Sequence, residues 1–103
     1  MEIEFRDKFN NIIKFTDKRW NHIIQEHPEV EPYKNRLSKV LENPDLVKRS
    51  KRQKDTFLYY RYYNDIYKGK HLLVVARTKH NSILLTCYIT DKIKKGELIW
   101  KKD

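Results

Sequence analysis

The stretch that decides the fold is residues 56–90, TFLYYRYYNDIYKGKHLLVVARTKHNSILLTCYIT. Its β-branched and aromatic side chains fall into three segments, residues 56–64, 70–78 and 82–90, with short polar connections between them. Such segments are typical of β-strands, and short connections between neighbouring strands imply antiparallel pairing. With residues 46–52 as a further strand before them, we predict a four-stranded antiparallel sheet.

The sequence before this sheet begins with a predicted hairpin and a first helix. Residues 3–5 and 12–15 are the two hairpin strands, because the Asp and Asn residues between them favour a turn. Thr16 is a typical N-cap for the helix that follows. Pro28 disfavours helical backbone at His27, so we expect the helix to end there.

A second helix is predicted from near Pro32 to residues 43–45, because proline is favoured in the first turn of a helix. Residues 91–103 are predicted to be a tail that packs on the body through its apolar side chains, Ile93, Leu98, Ile99 and Trp100. The predicted architecture is a single α+β domain over residues 1–103, with the hairpin and two helices packed on the four-stranded sheet. The other face of the sheet is expected to be at least partly open.

The composition favours a nucleic-acid partner. Lys and Arg number 23 against 14 Asp and Glu, which gives a formal net charge of +9 over 103 residues. Such a surface attracts polyanions, of which nucleic acid and anionic membrane are the obvious candidates. No apolar run approaches the roughly 20 residues of a transmembrane helix, and the first residues lack a signal-peptide pattern. We therefore expect a cytoplasmic protein that binds RNA or DNA and no membrane.

The cysteine and histidine content argues against a disulfide and against a metal. Cys87 is the one cysteine of the chain, and we expect it to be a core residue in a reducing compartment. His22 and His27 are five residues apart, which places them on different sides of a helix rather than at metal-ligand spacing. His71 and His80 are isolated. No metal and no cofactor are expected.

Strand alternation predicts a polar site on the open face of the sheet. In the last strand the predicted core side chains are Ile83, Leu85, Cys87 and Ile89. The other face is predicted to collect two guanidinium groups, hydroxyls and an aromatic ring, from Arg61, Arg77, Thr86, Tyr88 and Thr90. Arginine holds phosphate in a bidentate manner and tyrosine stacks on bases, so these types suit an RNA site. The alternative is that the arginines are ordinary surface residues and the others simply suit strands.

Two further groups have both a functional and a structural interpretation. The basic run at residues 48–54, with Arg49, Lys51 and Arg52, is either an RNA contact or a solvated edge strand. His27 lies on the apolar stripe of the first helix, so it is either a proton-transfer residue at the helix C-terminus or a buried, hydrogen-bonded histidine. His22 lies off that stripe and is either catalytic or a plain surface histidine.

Several motifs, taken in order, resemble the phage-type branch of the barnase–EndoU–colicin–RelE nuclease superfamily and its RelE-like toxin RNases. They are RWNHII at residues 19–24, EHPE at 26–29, NPDLVKRS at 43–50, TCYIT at 86–90, KGE at 95–97, and Trp100. The resemblance covers most of the chain, from about residue 17 to residue 100.

The resemblance implies helices followed by a four-stranded antiparallel sheet, and a metal-independent RNase that is often a toxin or a phage-delivered effector. Carried over by position, the implied site residues are His22 and His27, a basic residue at Arg49 or Arg61, and the hydroxyls of Thr86, Tyr88 and Thr90. Cys87 stands where the family is expected to have a small residue, often alanine, which affects packing rather than chemistry.

The leading hypothesis is an endoribonuclease in which the RNA 2′-hydroxyl attacks the neighbouring phosphate and leaves a 2′,3′-cyclic phosphate. A histidine would move the protons, arginines would stabilise the developing charge, and Tyr88 would orient the substrate or stack on it, with Thr86 as a further candidate site residue. One alternative is a non-catalytic RNA-binding module on the same fold, and another is a domain that docks an acidic protein. An acidic antitoxin or immunity protein is a candidate partner. Free mRNA, ribosome-bound mRNA and tRNA all stay open as substrates, as does the oligomeric state.

Overall fold

The computed structural model describes residues 2–79 and 81–103. Its elements, in chain order, are β1 (Glu2–Arg6), β2 (Ile12–Thr16), α1 (Asp17–Glu26), a 3₁₀ segment (Pro28–Arg36), α2 (Leu37–Glu42), β3 (Leu46–Arg49), β4 (Thr56–Tyr63), β5 (Lys70–Arg77), β6 (Ile83–Thr90) and β7 (Glu97–Lys101). The α+β class is as predicted. None of the described helices has the length and apolar composition that a membrane crossing requires.

In residues 2–79 and 81–103 the sheet is mixed and has seven strands in the order β1-β2-β6-β5-β4-β3-β7, which corrects the prediction of a four-stranded antiparallel sheet. The four predicted strands form its centre with antiparallel pairing. On one side the hairpin joins through a single parallel pairing of Lys14 with Ile83, supported by a hydrogen bond from the Lys14 N–H to the Ser82 carbonyl. On the other side, the predicted tail forms β7, which pairs with β3.

The first helix begins and ends where the sequence predicts. The hydroxyl of Thr16 accepts a hydrogen bond from the Arg19 N–H at 3.1 Å, which caps α1. At the other end His27 has non-helical backbone angles, and its N–H donates to the Ile23 carbonyl. Trp20 and Ile23 are buried against the sheet, as an apolar stripe requires.

The second helix is shorter than predicted. A 3₁₀ segment occupies Pro28–Arg36, and α-helical geometry begins only at Leu37. Pro32 lies inside this segment, where it has no N–H to donate and disfavours helical backbone at the residue before it, so a regular α-helix does not run through Pro28–Arg36. Leu37, Val40 and Leu41 are fully buried, as their predicted apolar face implies.

The main core lies between the helices and one face of the sheet. It includes Ile13 and Phe15 of the hairpin and Val47, Tyr59, Leu72, Val74 and Cys87 of the central strands. Within it, the buried carboxylate of Asp7 accepts hydrogen bonds from the N–H groups of Phe9 and Asn11, the Asn11 side chain and the Tyr59 hydroxyl. Burial, more than the bond to Asp7, raises the pKa of Tyr59 far above its ordinary value. The hairpin turn is thus tied to the centre of the sheet.

The predicted alternation in β6 is right only in its second half. Val75 pairs with Thr86 and Ala76 pairs with Leu84, so Leu85 is an extra residue in a β-bulge. The bulge reverses the faces on its N-terminal side. Leu84 is fully buried, whereas Ile83 and Leu85, the predicted core residues, are partly exposed. Cys87 is a core residue as predicted, and burial raises the pKa of its thiol to about 12.

Candidate nucleic-acid site on the open sheet face

The face of the sheet away from the helices carries a small apolar cluster surrounded by hydroxyls and cations. Residues directly opposite each other in antiparallel strands point to the same side. The rows on this face are Thr56 with Arg77; Leu58, Val75 and Thr86; Tyr60, Leu73 and Tyr88; and Tyr62, His71 and Thr90. Leu58, Tyr60 and Leu73 form its buried centre, separate from the main core.

A cavity of about 450 Å³ opens above this cluster. Leu58 and Val75 are among its apolar lining residues, and the hydroxyls of Ser50, Thr56, Thr86 and Tyr88 surround them. Its cations come from two segments outside the strands: Lys51, Arg52, Lys94 and Lys95. Four cations beside hydroxyl donors and an aromatic ring fit a phosphodiester with an adjoining base.

A tight turn after β3 positions the first pair of cations. The Gln53 N–H donates to the Ser50 hydroxyl, the Thr56 N–H donates to the Gln53 carbonyl, and the Ser50 N–H donates to the Thr56 carbonyl. These bonds fold residues 51–55 back toward the sheet. Lys51 and Arg52 therefore line the cavity instead of extending β3 as the sequence predicts.

The segment before β7 positions the second pair of cations. Its Lys94 N–H donates to the Tyr60 hydroxyl at 3.0 Å, and the Lys94 ammonium lies 5.5 Å from the centre of the Tyr88 ring. A hydrogen bond to the Tyr88 hydroxyl, with the charge interaction between the two groups, raises the pKa of Lys94. Gly96 allows this segment to approach the end of β3 closely, because a Cβ at this position would lie 2.4 Å from the Arg49 carbonyl oxygen.

His27 reaches this site from the end of α1. Its imidazole stacks on the Tyr88 ring with centroids 5.1 Å apart and an interplanar angle of 25°. Its Nδ1 lies 3.6 Å from a carboxylate oxygen of Glu29. About a third of the His27 side chain is exposed. It is therefore not a fully buried core residue, which was the alternative to a proton-transfer role. Tyr88 thus lies between a histidine and the Lys94 ammonium.

His22 lies elsewhere. Its Nε2 is 3.1 Å from a Glu26 carboxylate oxygen on the exposed side of α1, and both side chains are more than half exposed. It lines a different depression, with Arg19 and Ile83. The structure does not bring His22 together with Tyr88.

Two of the predicted basic residues are on the helical face, which corrects the expected placement of Arg61. Arg61 is opposite Leu72 of the main core, and its guanidinium donates to the Asn43 carbonyl. Arg49 is opposite Phe57, which packs on the main core, and lies 3.7 Å from Glu97. The error arises because strand alternation fixes relative faces within a strand but not between strands.

The other two predicted residues are on the open face but not in the cavity lining. Arg77 lies opposite Thr56 at one end of the face. Thr90 lies at the other end, where its hydroxyl accepts a hydrogen bond from the Lys92 N–H at 3.0 Å. Thr90 therefore helps to turn the chain into the segment that carries Lys94.

Sequence reasoning missed Lys94, Lys95, Tyr60 and Thr56 as site residues. The two lysines fall in the segment predicted to be a tail. The available signal was a pair of lysines that immediately precede Gly96 and come shortly after Thr90, where the last predicted strand ends. In the described part of the chain, no three His, Cys, Asp or Glu side chains are grouped as metal ligands.

Together these features define a small α+β protein whose open sheet face combines cations, hydroxyls and a histidine–tyrosine stack, the groups that phosphodiester chemistry uses. The chain belongs to the phage-Barnase-EndoU-ColicinE5/D-RelE like nuclease 2 family, whose profile matches residues 2–101. This match confirms the resemblance found in the sequence motifs. No curated protein and no solved structure matches the chain.

Proposed function

We propose that this nuclease-family protein is a metal-independent endoribonuclease with its active site in the open-face cavity. The observation that carries the proposal is the His27–Tyr88 stack, 5.1 Å between centroids, beside the cavity that Lys94, Lys51 and Arg52 line. Imidazole accepts and donates protons near neutral pH, and this imidazole stacks on Tyr88, one of the residues that line the cation-rich cavity.

In the proposed reaction, the RNA 2′-oxygen forms a bond to the adjacent phosphorus as the bond from phosphorus to the 5′-oxygen breaks. The 2′-hydroxyl proton leaves to a base and a proton reaches the departing 5′-oxygen. The products are a 2′,3′-cyclic phosphate and a 5′-hydroxyl. His27 moves a proton, with Glu29 orienting its ring through Nδ1.

The cations stabilise the negative charge that develops on the phosphoryl oxygens. Lys94 is held in place by Tyr60 and Tyr88, which makes it the most preorganised of the four. Thr86 and Tyr88 donate hydroxyl hydrogen bonds to the substrate, and the apolar lining accommodates a base. Arg61 and His22 line other depressions and contact neither Tyr88 nor Lys94, so they have no part in the proposed chemistry.

The test is to incubate purified protein with a defined RNA in EDTA and to analyse the ends of the products. We expect cleavage that chelation does not suppress and that leaves 2′,3′-cyclic phosphates. Binding without cleavage would instead support the RNA-binding module, and dependence of cleavage on added divalent cations would contradict the metal-independent mechanism.

We propose further that the protein acts as a toxin or phage-type effector, with an acidic protein as its inhibitor. The support is the nuclease family and the net charge of +9. Expression of the wild-type chain alone should arrest growth, and Tyr88→Ala should relieve the arrest. Growth unaffected by a soluble, RNA-cleaving wild-type protein would contradict the toxin role.

A further inference from the structure

The helical face carries a second basic pocket of about 450 Å³, beside the edge strand β7. Its lining residues come from the hairpin turn, α2, β4 and the end of the chain: Lys8, Lys39, Asn43, Pro44, Arg61, Trp100 and Lys102. No carboxylate is among the lining residues that the structure describes. Four cations therefore converge on this pocket without an acidic side chain in its wall.

Local contacts fix the position of two of these cations. The Lys8 ammonium lies 3.7 Å from the centre of the Trp100 ring, and the Lys8 N–H donates to the Leu41 carbonyl at 2.9 Å. The Arg61 guanidinium donates to the Asn43 carbonyl at the C-terminal end of α2. The Arg61 Nε is buried and has no hydrogen-bond partner. The positive pocket is thus built into the fold rather than made of mobile surface lysines alone.

Lysines lie on both sides of the sheet edge that separates this pocket from the open-face cavity. Lys94 and Lys95 line the cavity on one side of the sheet, and Lys102 lines the pocket on the other. Between them, Lys101 is opposite Leu46, which packs on the open-face cluster, so its side chain is on the open face. Since β7 is the last strand of the sheet, a single edge separates the two basic sites.

We infer that this pocket is a second phosphate-binding site, for a single-stranded nucleic acid that enters the open-face cavity and passes over the β7 edge. The identification of the ligand as a nucleic acid rests on the proposed function. A nucleic-acid strand fits better than an acidic protein for two reasons. Cations line both sites and Lys101 lies on the β7 edge near them, and the face of Trp100 that an apolar partner side chain would use is covered by Lys8.

The test compares two charge-matched double variants by binding of 2′-O-methyl RNA, which cannot be cleaved through its 2′-oxygen. Lys39→Gln with Lys102→Gln removes two cations of the pocket and leaves Arg61 in its contact with α2. Lys14→Gln with Lys68→Gln removes two exposed lysines outside both sites. Probes of about four and about twenty nucleotides separate one site from two, since they bracket the lengths that small single-strand sites cover.

With the long probe, we compare the slope of log affinity against log salt concentration. This slope should be smaller in magnitude by about 1.4 in the Lys39/Lys102 variant than in wild type, which is about 0.7 for each lost phosphate contact. The short probe should bind the Lys39/Lys102 variant and wild type with the same affinity. The Lys14/Lys68 variant should have the affinity and salt slope of wild type with both probes. An unchanged slope for the long probe, or an equal loss with both probes, would overturn the second site. Cleavage of a short RNA, measured in parallel, tests the proposed function separately, because the binding slopes do not depend on catalysis.

Discussion

The two faces of the central sheet differ in whether their polar groups are buried and hydrogen-bonded or border an open cavity. On the helical face the buried carboxylate of Asp7 has four hydrogen-bond donors, one of them the Tyr59 hydroxyl. On the open face, hydroxyls and cations border a cavity around only three buried apolar side chains. Stability therefore resides mainly in the helical face, which leaves the open face available for binding and chemistry.

The largest expected effect comes from a residue that belongs to the open-face site. His27→Ala should lower the rate of RNA cleavage by about 10²–10⁴, while RNA affinity stays close to that of wild type because the cavity cations are intact. Single-turnover cleavage and anisotropy binding measure the two quantities. His22→Ala is the matched control and should cleave normally. An activity loss in His27→Ala that merely follows a lower melting temperature would assign His27 to the packing of α1 instead.

On the helical face, a single substitution is expected to lower stability rather than activity. Asp7→Ala leaves the Tyr59 hydroxyl and the turn N–H groups buried without their acceptor, so the free energy of unfolding should fall by about 2–4 kcal/mol. Urea denaturation measures this change. The control is Asp65→Ala, which breaks the exposed Arg36–Asp65 pair and should cost less than about 1 kcal/mol. Equal losses from the two variants would contradict the distinction between a buried and an exposed carboxylate.

The raised pKa of Tyr59 predicts a loss of stability at alkaline pH. Because the folded state keeps the Tyr59 proton while the unfolded state releases it above the ordinary pKa of 10.0, the contribution is complete below pH 10 and falls as pH rises. The slope for this single group is about 1.4 kcal/mol per pH unit. Urea unfolding just above pH 10 should therefore be less steeply pH-dependent in Tyr59→Phe than in wild type. Identical pH dependence in the two proteins would remove Tyr59 as its source.

The smallest effect separates two arginines that are close in sequence but on different faces. Arg52 lines the open-face cavity, whereas Arg49 is paired with Glu97 on the helical side. Arg52→Gln should reduce the log–log salt slope of RNA binding by about 0.7, and Arg49→Gln should leave it unchanged. A larger change from Arg49→Gln would place the RNA path on the other side of β3.

Local signals allowed parts of the fold to be predicted from the sequence. The Thr16 cap and the helix end at His27 depend on neighbouring residues, and both predictions are confirmed. The open-face placement of Thr86 and Tyr88 follows from alternation within one strand. The bulge at Leu85 has no such local signal, because it arises where β6 changes register against β5.

The remaining features depend on contacts between distant residues. The side of the sheet on which Arg61 lies is set by how β4 pairs with β3 and β5, and its own sequence allowed either face. Lys94 enters the site because a segment more than thirty residues away folds over the Tyr60 hydroxyl. β7 forms because β3 offers it a free edge, which the composition of residues 97–101 does not reveal.

The parallel pairing of Lys14 with Ile83 also constrains the order of folding during synthesis. Strand β2 contributes the core side chains Ile13 and Phe15, yet its sheet partner β6 leaves the ribosome about seventy residues later. Pairings between segments so distant in the chain form slowly, because loop closure must precede the gain from contact. The pairing of β3 with β7 is similarly distant in the chain, although β3 also pairs with its neighbour β4. The chain therefore completes its core and receives Lys94 only after β6 and β7 have been synthesised, so the proposed site is among the last parts of the domain to form.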